Sequence, residues 1–264
     1  MENFEICPLE SGSKGNSHLI TSGSTNILVD CGISAKAICE RLSFYGKTPE
    51  ELSAVLITHE HTDHTKGAGI MARKYAVPVY ATRGTWRAMY KNIQPVEDHL
   101  IKLIEKNKPF EIGDITIEAF AISHDAADPV GYNLLFKDKK ISIATDTGIA
   151  DEELLTALSG SEIALIEANH DENMLIMGKY AQSLKRRIKG DKGHLSNEAA
   201  GGLSLKLAKS GTKTILIGHL SEENNYPDLA YLTVKNIVEE SGLKEGKDFS
   251  LSVVTRTFMK QRFS

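Results

Sequence analysis

The chain has 264 residues, with 31 Lys+Arg, 35 Asp+Glu, nine His and three Cys, and a formal charge of −4. Apolar content of 41% with 25% charged residues is ordinary globular composition, which excludes disorder, collagen-like repeats and a disulfide scaffold. The slightly acidic balance disfavours a uniformly basic nucleic-acid binder, and the nine His are the unusual feature.

Met1-Glu2-Asn3-Phe4-Glu5 has neither the basic nor the apolar segment of a secretory leader. No apolar run approaches the ~20 residues of a membrane helix. Cys7, Cys31 and Cys39 are odd in number and read as reduced, packed thiols of a cytoplasmic protein. In chain order, Ser11-Gly12-Ser13-Lys14-Gly15-Asn16-Ser17 joins two short strands, and a strand at 26–30 follows. Then come a helix at 35–45, a strand at 54–58, helices at 67–75 and 85–92, and strands at 115–122 and 140–145. A helix at 151–158, a strand at 163–167, helices at 180–188 and 197–210, a strand at 214–217, a helix at 227–241 and a strand at 249–254 complete the series. Ser196 can cap the helix after it, Pro227 suits a first helical position, and Gly242 suits the residue beyond a helix end. Such interleaving, without linker or repeat, predicts one α/β domain over residues 1–264 with helices covering sheets.

The strands run into polar residues of one kind. The strand at 54–58 leads to His59-Glu60-His61-Thr62-Asp63-His64, and those before them and after them lead to Asp30, His124, Asp146 and His219. Strand ends gathered at one sheet edge give a rigid frame on which such side chains converge. Five His and two Asp are too many for one tetrahedral Zn²⁺ but suit two divalent ions sharing a carboxylate. The expected sets are His59, His61 and His124 on one ion, Asp63, His64 and His219 on the other, and Asp146 bridging. Zn²⁺ fits these ligands best, with Mn²⁺ or Fe²⁺ compatible.

His59-Glu60-His61-Thr62-Asp63-His64 resembles the HxHxDH signature of the metallo-β-lactamase superfamily, and Asp30, His124, Asp146 and His219 stand where its other motifs fall. The resemblance implies a four-layer αββα sandwich with a dinuclear site at the edge of its sheets. It makes Asp30 an acid that orients ligands rather than binding metal.

Further phrases narrow the branch. Glu167 in Glu167-Ala168-Asn169-His170 and His194 in Gly193-His194-Leu195-Ser196-Asn197 are similar to the Glu/His pair of the superfamily's nucleases, where the His protonates the leaving oxygen and the Glu orients it. With Ser11-Gly12-Ser13-Lys14-Gly15-Asn16 and His219-Leu220-Ser221-Glu222-Glu223-Asn224-Asn225, they resemble the YycJ/WalJ (VicX) type of bacterial nuclease. That implies a metal-dependent 5′→3′ DNA exonuclease, with Asp63, His194 and Glu167 as its catalytic candidates. The short spans from His124 to Asp146 and from Asp146 to His219 leave no room for a long tRNA-gripping arm or a β-CASP domain. Lys185, Arg186, Arg187, Lys189 and Lys192 are candidate phosphate contacts, as are Ser13, Lys14 and Asn16 in the Gly-rich loop. Met177, Tyr180, Leu184 and Ile188 read as the buried stripe of the helix carrying the basic run. His18, His99 and His170 take ordinary roles. The alternatives are a carbonyl hydrolase of the same fold, a thioesterase or lactonase, and a non-catalytic regulatory metal-binding protein.

Overall fold

The strand expected at 26–30 forms as β3 (Thr25–Val29), and all five of its side chains are buried, as a strand covered on both faces requires. It belongs to a computed structural model that describes residues 4–258 and 260–264. Met1-Glu2-Asn3, part of the segment in which no leader was expected, lies outside the described residues. The chain folds as two compact units: Met1–Phe120 with Ala126–Asp138 and Arg256–Ser264, and Ala121–Asp125 with Lys139–Thr255.

In the first unit, β1 (Phe4–Glu10), β2 (Ser17–Ser22), β3, β4 (Ala54–Leu56), β5 (Val79–Thr82) and β6 (Ile101–Ile104) form a six-stranded sheet in that order. The β1–β2 and β2–β3 pairs are antiparallel, and the pairs from β3 to β6 are parallel. The register Val29↔Leu56 therefore sends the chain out of β3 and β4 at the same edge, toward Asp30 and His59. Helices α1 (Ala35–Phe44), α2 (Thr62–Thr65), α3 (Ala68–Tyr75) and α4 (Arg83–Ile93) lie between these strands in sequence. Leu28, Val55, Ile57, Met71, Val79 and Trp86 share one buried core. The unit also holds β7 (Phe110–Ile112), β8 (Ile115–Ala121) and β9 (Val130–Phe136), side by side.

In the second unit, β10 (Lys139–Ala144), β11 (Ile163–Glu167), β12 (Thr214–Gly218) and β13 (Ser250–Val253) are neighbours in that order, all paired parallel. Parallel pairing in the registers Ala144↔Ile166 and Glu167↔Gly218 brings the ends of β10, β11 and β12 to one edge. Its helices are α5 (Glu152–Leu158), α6 (Glu172–Met177), α7 (Gln182–Lys189), α8 (Asn197–Lys209) and α9 (Pro227–Glu239). Ser196 caps α8 by accepting from Ala199 N at 3.2 Å, and Pro227 opens α9.

Strands β5, β6, β7 and β9 were not expected. β9 is almost wholly buried and lacks the alternation that marks a half-exposed strand. The helix expected at 180–188 forms as α7, from Gln182 to Lys189, while a separate α6 ends at Met177 before Gly178. The 177/180/184/188 spacing therefore spans a break, and Met177 is 86% exposed rather than buried. Cys7, Cys31 and Cys39 are free thiols. Among the described residues, no helix is long and apolar enough to cross a membrane.

Candidate active site

In the first unit, Asp30 leaves β3 with φ at +62°, a left-handed conformation that costs a non-glycine residue roughly 1 kcal/mol or more. Its buried carboxylate accepts from Thr58 N at 2.9 Å, from Thr58 Oγ1 at 2.9 Å and from His64 Nδ1 at 2.8 Å. Burial pushes the carboxyl up, against the pull of His64 and the Thr58 donors. With Nδ1 donating to Asp30, the His64 ring presents Nε2 as its unprotonated nitrogen, the arrangement by which carboxylates set metal-binding imidazoles. Nε2 lies 3.4 Å from Asp63 Oδ2. His59 Nδ1 faces Thr58 Oγ1 at 3.0 Å, and His59 Nε2 approaches His61 Nδ1 at 3.1 Å. Two imidazole nitrogens so close need a shared proton or a cation between them.

The turn is clamped from below by the Gly-rich loop. Asn16 N donates to Asp63 O at 2.8 Å, and Gly32 N donates to Asn16 O at 2.8 Å. A Cβ on Gly32 would overlap the Asp63 carbonyl, so only glycine lets these loops meet. Asn16 differs from expectation. It is fully buried, its Oδ1 accepts from Gly12 N, and its Nδ2 reaches His64 Nε2 at 3.1 Å. Ser13 and Lys14, at the loop tip, are exposed as a phosphate contact requires.

In the second unit, Asp146 and His219 follow β10 and β12 with φ of +60° and +52°. His219 Nε2 lies 3.2 Å from Asp146 Oδ1. His124 Nδ1 donates to Gly193 O at 3.2 Å, leaving Nε2, which lies 3.8 Å from Asp146 Oδ1. Burial holds the His124 imidazole below its ordinary pKa, favouring the neutral ring a metal needs. His124, Asp146 and His194 bring ligand atoms within 4.8 Å of one another, as do Glu167, His194 and His219. The His and carboxylate clusters of this chain suit a dinuclear divalent-metal centre, and the fixed Nδ1 atoms of His64 and His124 fit that role.

Glu167 is fully buried at the end of β11. Its Oε1 accepts from Thr147 N at 2.6 Å and Leu195 N at 3.2 Å, and its Oε2 takes His194 Nδ1 at 3.0 Å. His194 Nδ1 also lies 3.8 Å from Asp146 Oδ1, and its ring stacks on His219 at 5.4 Å. Burial pulls the His194 imidazole down, but the Glu167 charge and hydrogen bond prevail and push it up to about 9. The group is thus held as a proton donor. Gly193 makes room for it: a Cβ there would strike the Ile188 and Arg187 carbonyls at the end of α7.

The basic segment divides. Lys185 is buried, and its Nζ donates to Ile176 O at 2.6 Å and Gly178 O at 2.7 Å. It closes the carbonyl end of α6 and is withdrawn from any phosphate. Arg187 pairs with Asp125, and Lys189 with Glu172 at 3.2 Å. Arg186 and Lys192 are exposed. His99 is exposed beside Glu97, while His18 and His170 are buried. Thr58, Asn169 and the Asn197–Asn225 pair had no assigned role in the sequence. Asn169 Nδ2 donates to His219 O at 3.0 Å, and the Asn197 and Asn225 amides bond reciprocally at 3.1 and 2.8 Å. Such ties join distant loops, and the only signal was their place in the quoted phrases.

A family model described as "Beta-lactamase superfamily domain" matches residues 25–219. Exodeoxyribonuclease WalJ of Streptococcus pneumoniae is 41% identical over 250 residues, covering 94% of this chain and 93% of that protein. Exodeoxyribonuclease YycJ of Bacillus anthracis is 39% identical over 245 residues, covering 92% of each. Among solved structures, the metallo-β-lactamase fold protein YhfI from Bacillus subtilis superposes with a TM-score of 0.75 at 15% identity, covering 100% of this chain and 99% of that one. Two mixed sheets flanked by helices thus have the αββα sandwich fold of that class.

Proposed function

Since this chain belongs to the metallo-β-lactamase superfamily, in the branch of the WalJ and YycJ exodeoxyribonucleases, we propose that it degrades DNA strands from the 5′ end. It is a metal-dependent phosphodiesterase of nuclease type. The observation that carries the finer reading is the 3.0 Å contact between His194 Nδ1 and the buried Glu167 carboxylate, beside Asp146.

His59, His61 and His124 would hold one ion and Asp63, His64 and His219 the other, with Asp146 serving both; Zn²⁺ suits the set, and Mn²⁺ or Fe²⁺ is compatible. When bound, the ions supply an acidified water and positive charge against a phosphodiester transition state. Asp30 and the Gly193 carbonyl orient His64 and His124. Asp63, whose side chain is 25% exposed, accepts a hydrogen bond from the attacking water. Glu167 fixes the His194 ring, and His194 gives its proton to the departing sugar oxygen. Arg186, Lys192, Ser13 and Lys14 contact phosphates, joined by Arg187 and Lys189 when a phosphate displaces Asp125 and Glu172. Residues 1–264 act as one metallo-β-lactamase domain, since the family model takes in parts of both units. The free thiols support a cytoplasmic location.

Metal analysis followed by cleavage of 5′- and 3′-labelled single-stranded DNA tests the reading. We expect two equivalents of metal and release from the 5′ end. His194→Ala should keep its metal and cleave ~10²–10⁴-fold more slowly. Wild-type cleavage by that variant overturns the acid, and cleavage in chelated buffer overturns the metal. Preferential turnover of a thioester or lactone overturns the substrate.

A further inference from the structure

Asp125 follows His124 directly and stands beside the site. Its Oδ1 lies 3.4 Å from His124 Nε2, the nitrogen that the Gly193 carbonyl leaves for a ligand. Its other oxygen, Oδ2, accepts from Nε of Arg187 on α7. One carboxylate thus spans a candidate metal ligand and a guanidinium. Ties between consecutive residues fix this placement. Ser123 Oγ donates to Asp191 O at 2.7 Å, His124 Nδ1 to Gly193 O at 3.2 Å and Asp125 N to Lys192 O at 3.1 Å. The segment carrying His124 is therefore laced to the chain that leaves α7. The neighbouring cations point elsewhere, Lys185 onto the end of α6 and Lys189 onto Glu172.

Two features make this carboxylate a stand-in for a phosphate. A guanidinium takes carboxylate and phosphate oxygens in the same fork geometry. Two ligand atoms on a tetrahedral Zn²⁺, with bonds of about 2.1 Å, lie about 3.4 Å apart, which is the spacing of Asp125 Oδ1 from His124 Nε2. A phosphate oxygen can take that place while Arg187 holds a second oxygen of the same group. The Arg187 and Asp125 side chains are 54% and 30% exposed, so an incoming strand reaches them. An ion pair this open to water is weak enough to exchange.

We propose that the reacting phosphate sits between His124 and Arg187, in the place held by the Asp125 carboxylate, and that Asp125 is an internal competitor for that seat. This rests on the nuclease reading above and names, among its phosphate contacts, the one that grips the scissile group. The test titrates inorganic phosphate into metal-loaded wild type, Arg187→Ala and Asp125→Asn by calorimetry. It also measures KM for bis(p-nitrophenyl) phosphate and for a single-stranded DNA dodecamer. Arg187→Ala should bind phosphate about tenfold more weakly and raise KM by the same factor on both substrates, since the small one carries only the scissile phosphate. Asp125→Asn should do the reverse and bind phosphate about threefold more tightly, with its metal content unchanged. A general disturbance of the fold does not give opposite signs in the two partners of one ion pair. A KM rise on the dodecamer alone would put Arg187 on a flanking phosphate and overturn the seat. Unchanged or weaker phosphate binding by Asp125→Asn, or loss of a metal equivalent, overturns the competitor. Phosphate binding is read without turnover. Wild type that binds phosphate yet leaves DNA uncut sinks the nuclease reading alone, while equal phosphate affinity in wild type and Arg187→Ala sinks the seat.

Discussion

Replacing Lys185 by Met keeps the apolar stem and removes the ammonium that closes α6. The lost contacts are two charge-assisted hydrogen bonds, at 2.6 and 2.7 Å, in a residue only 9% exposed. Such bonds are worth ~1.5–3 kcal/mol each when broken, and relief of the buried charge's desolvation offsets part of that. A net cost of about 3 kcal/mol follows. For 264 residues the unfolding entropy is ~0.55 kcal/mol per degree, so Tm should fall by about 5 °C. Differential scanning fluorimetry reads this directly. The second arm is DNA affinity against salt. A lysine on a phosphate contributes ~0.7 to the slope of log K against log salt for a single strand. Lys185→Met should lower Tm and leave that slope unchanged. An unaltered Tm together with a shallower slope would refute it and return Lys185 to the phosphate surface.

Glu167→Gln removes the charge that holds His194 protonated, so the basic limb of the pH–rate profile should move to lower pH; an unmoved limb would mean that another group sets it. His170 is buried and held neutral, with its pKa lowered by burial from 6.5 to about 4. The unfolded chain takes up that proton first, so stability present above pH 6.5 is lost as pH falls toward 4, by about 3 kcal/mol in all. Urea unfolding at neutral and acid pH should show the loss in wild type and a smaller one in His170→Gln; equal losses would remove His170 as the cause.

What the sequence shows well is the class of element and the residue just beyond it. Asp30, His59, His124, Asp146, Glu167 and His219 each sit at or just past a run of β-branched and aliphatic residues, and all of these runs except the one before His124, whose strand β8 pairs antiparallel with β7, pair in parallel with their ends aligned. What it hides is the direction of a polar side chain. Lys185 and Arg186 are alike as letters, yet one turns onto a helix end and the other onto solvent. Asn16 stands in a glycine-rich loop whose composition suits a phosphate, and the tightness of the turn folds its amide inward. Met177 satisfies a helical period that Gly178 interrupts, and no periodicity count registers the break.

The left-handed backbone at Asp30, Asp146 and His219 bears on how this centre should be dissected. Asparagine, like aspartate, tolerates that conformation better than most non-glycine residues, whereas alanine resists it. An alanine scan of these three positions would merge two losses, the functional group and the shape of the loop that carries it. Asp146→Asn keeps the loop and removes only the charge, and Asp146→Gly relaxes the loop and removes the whole side chain. The difference between the two variants separates ligand chemistry from scaffold strain, and alanine would report their sum.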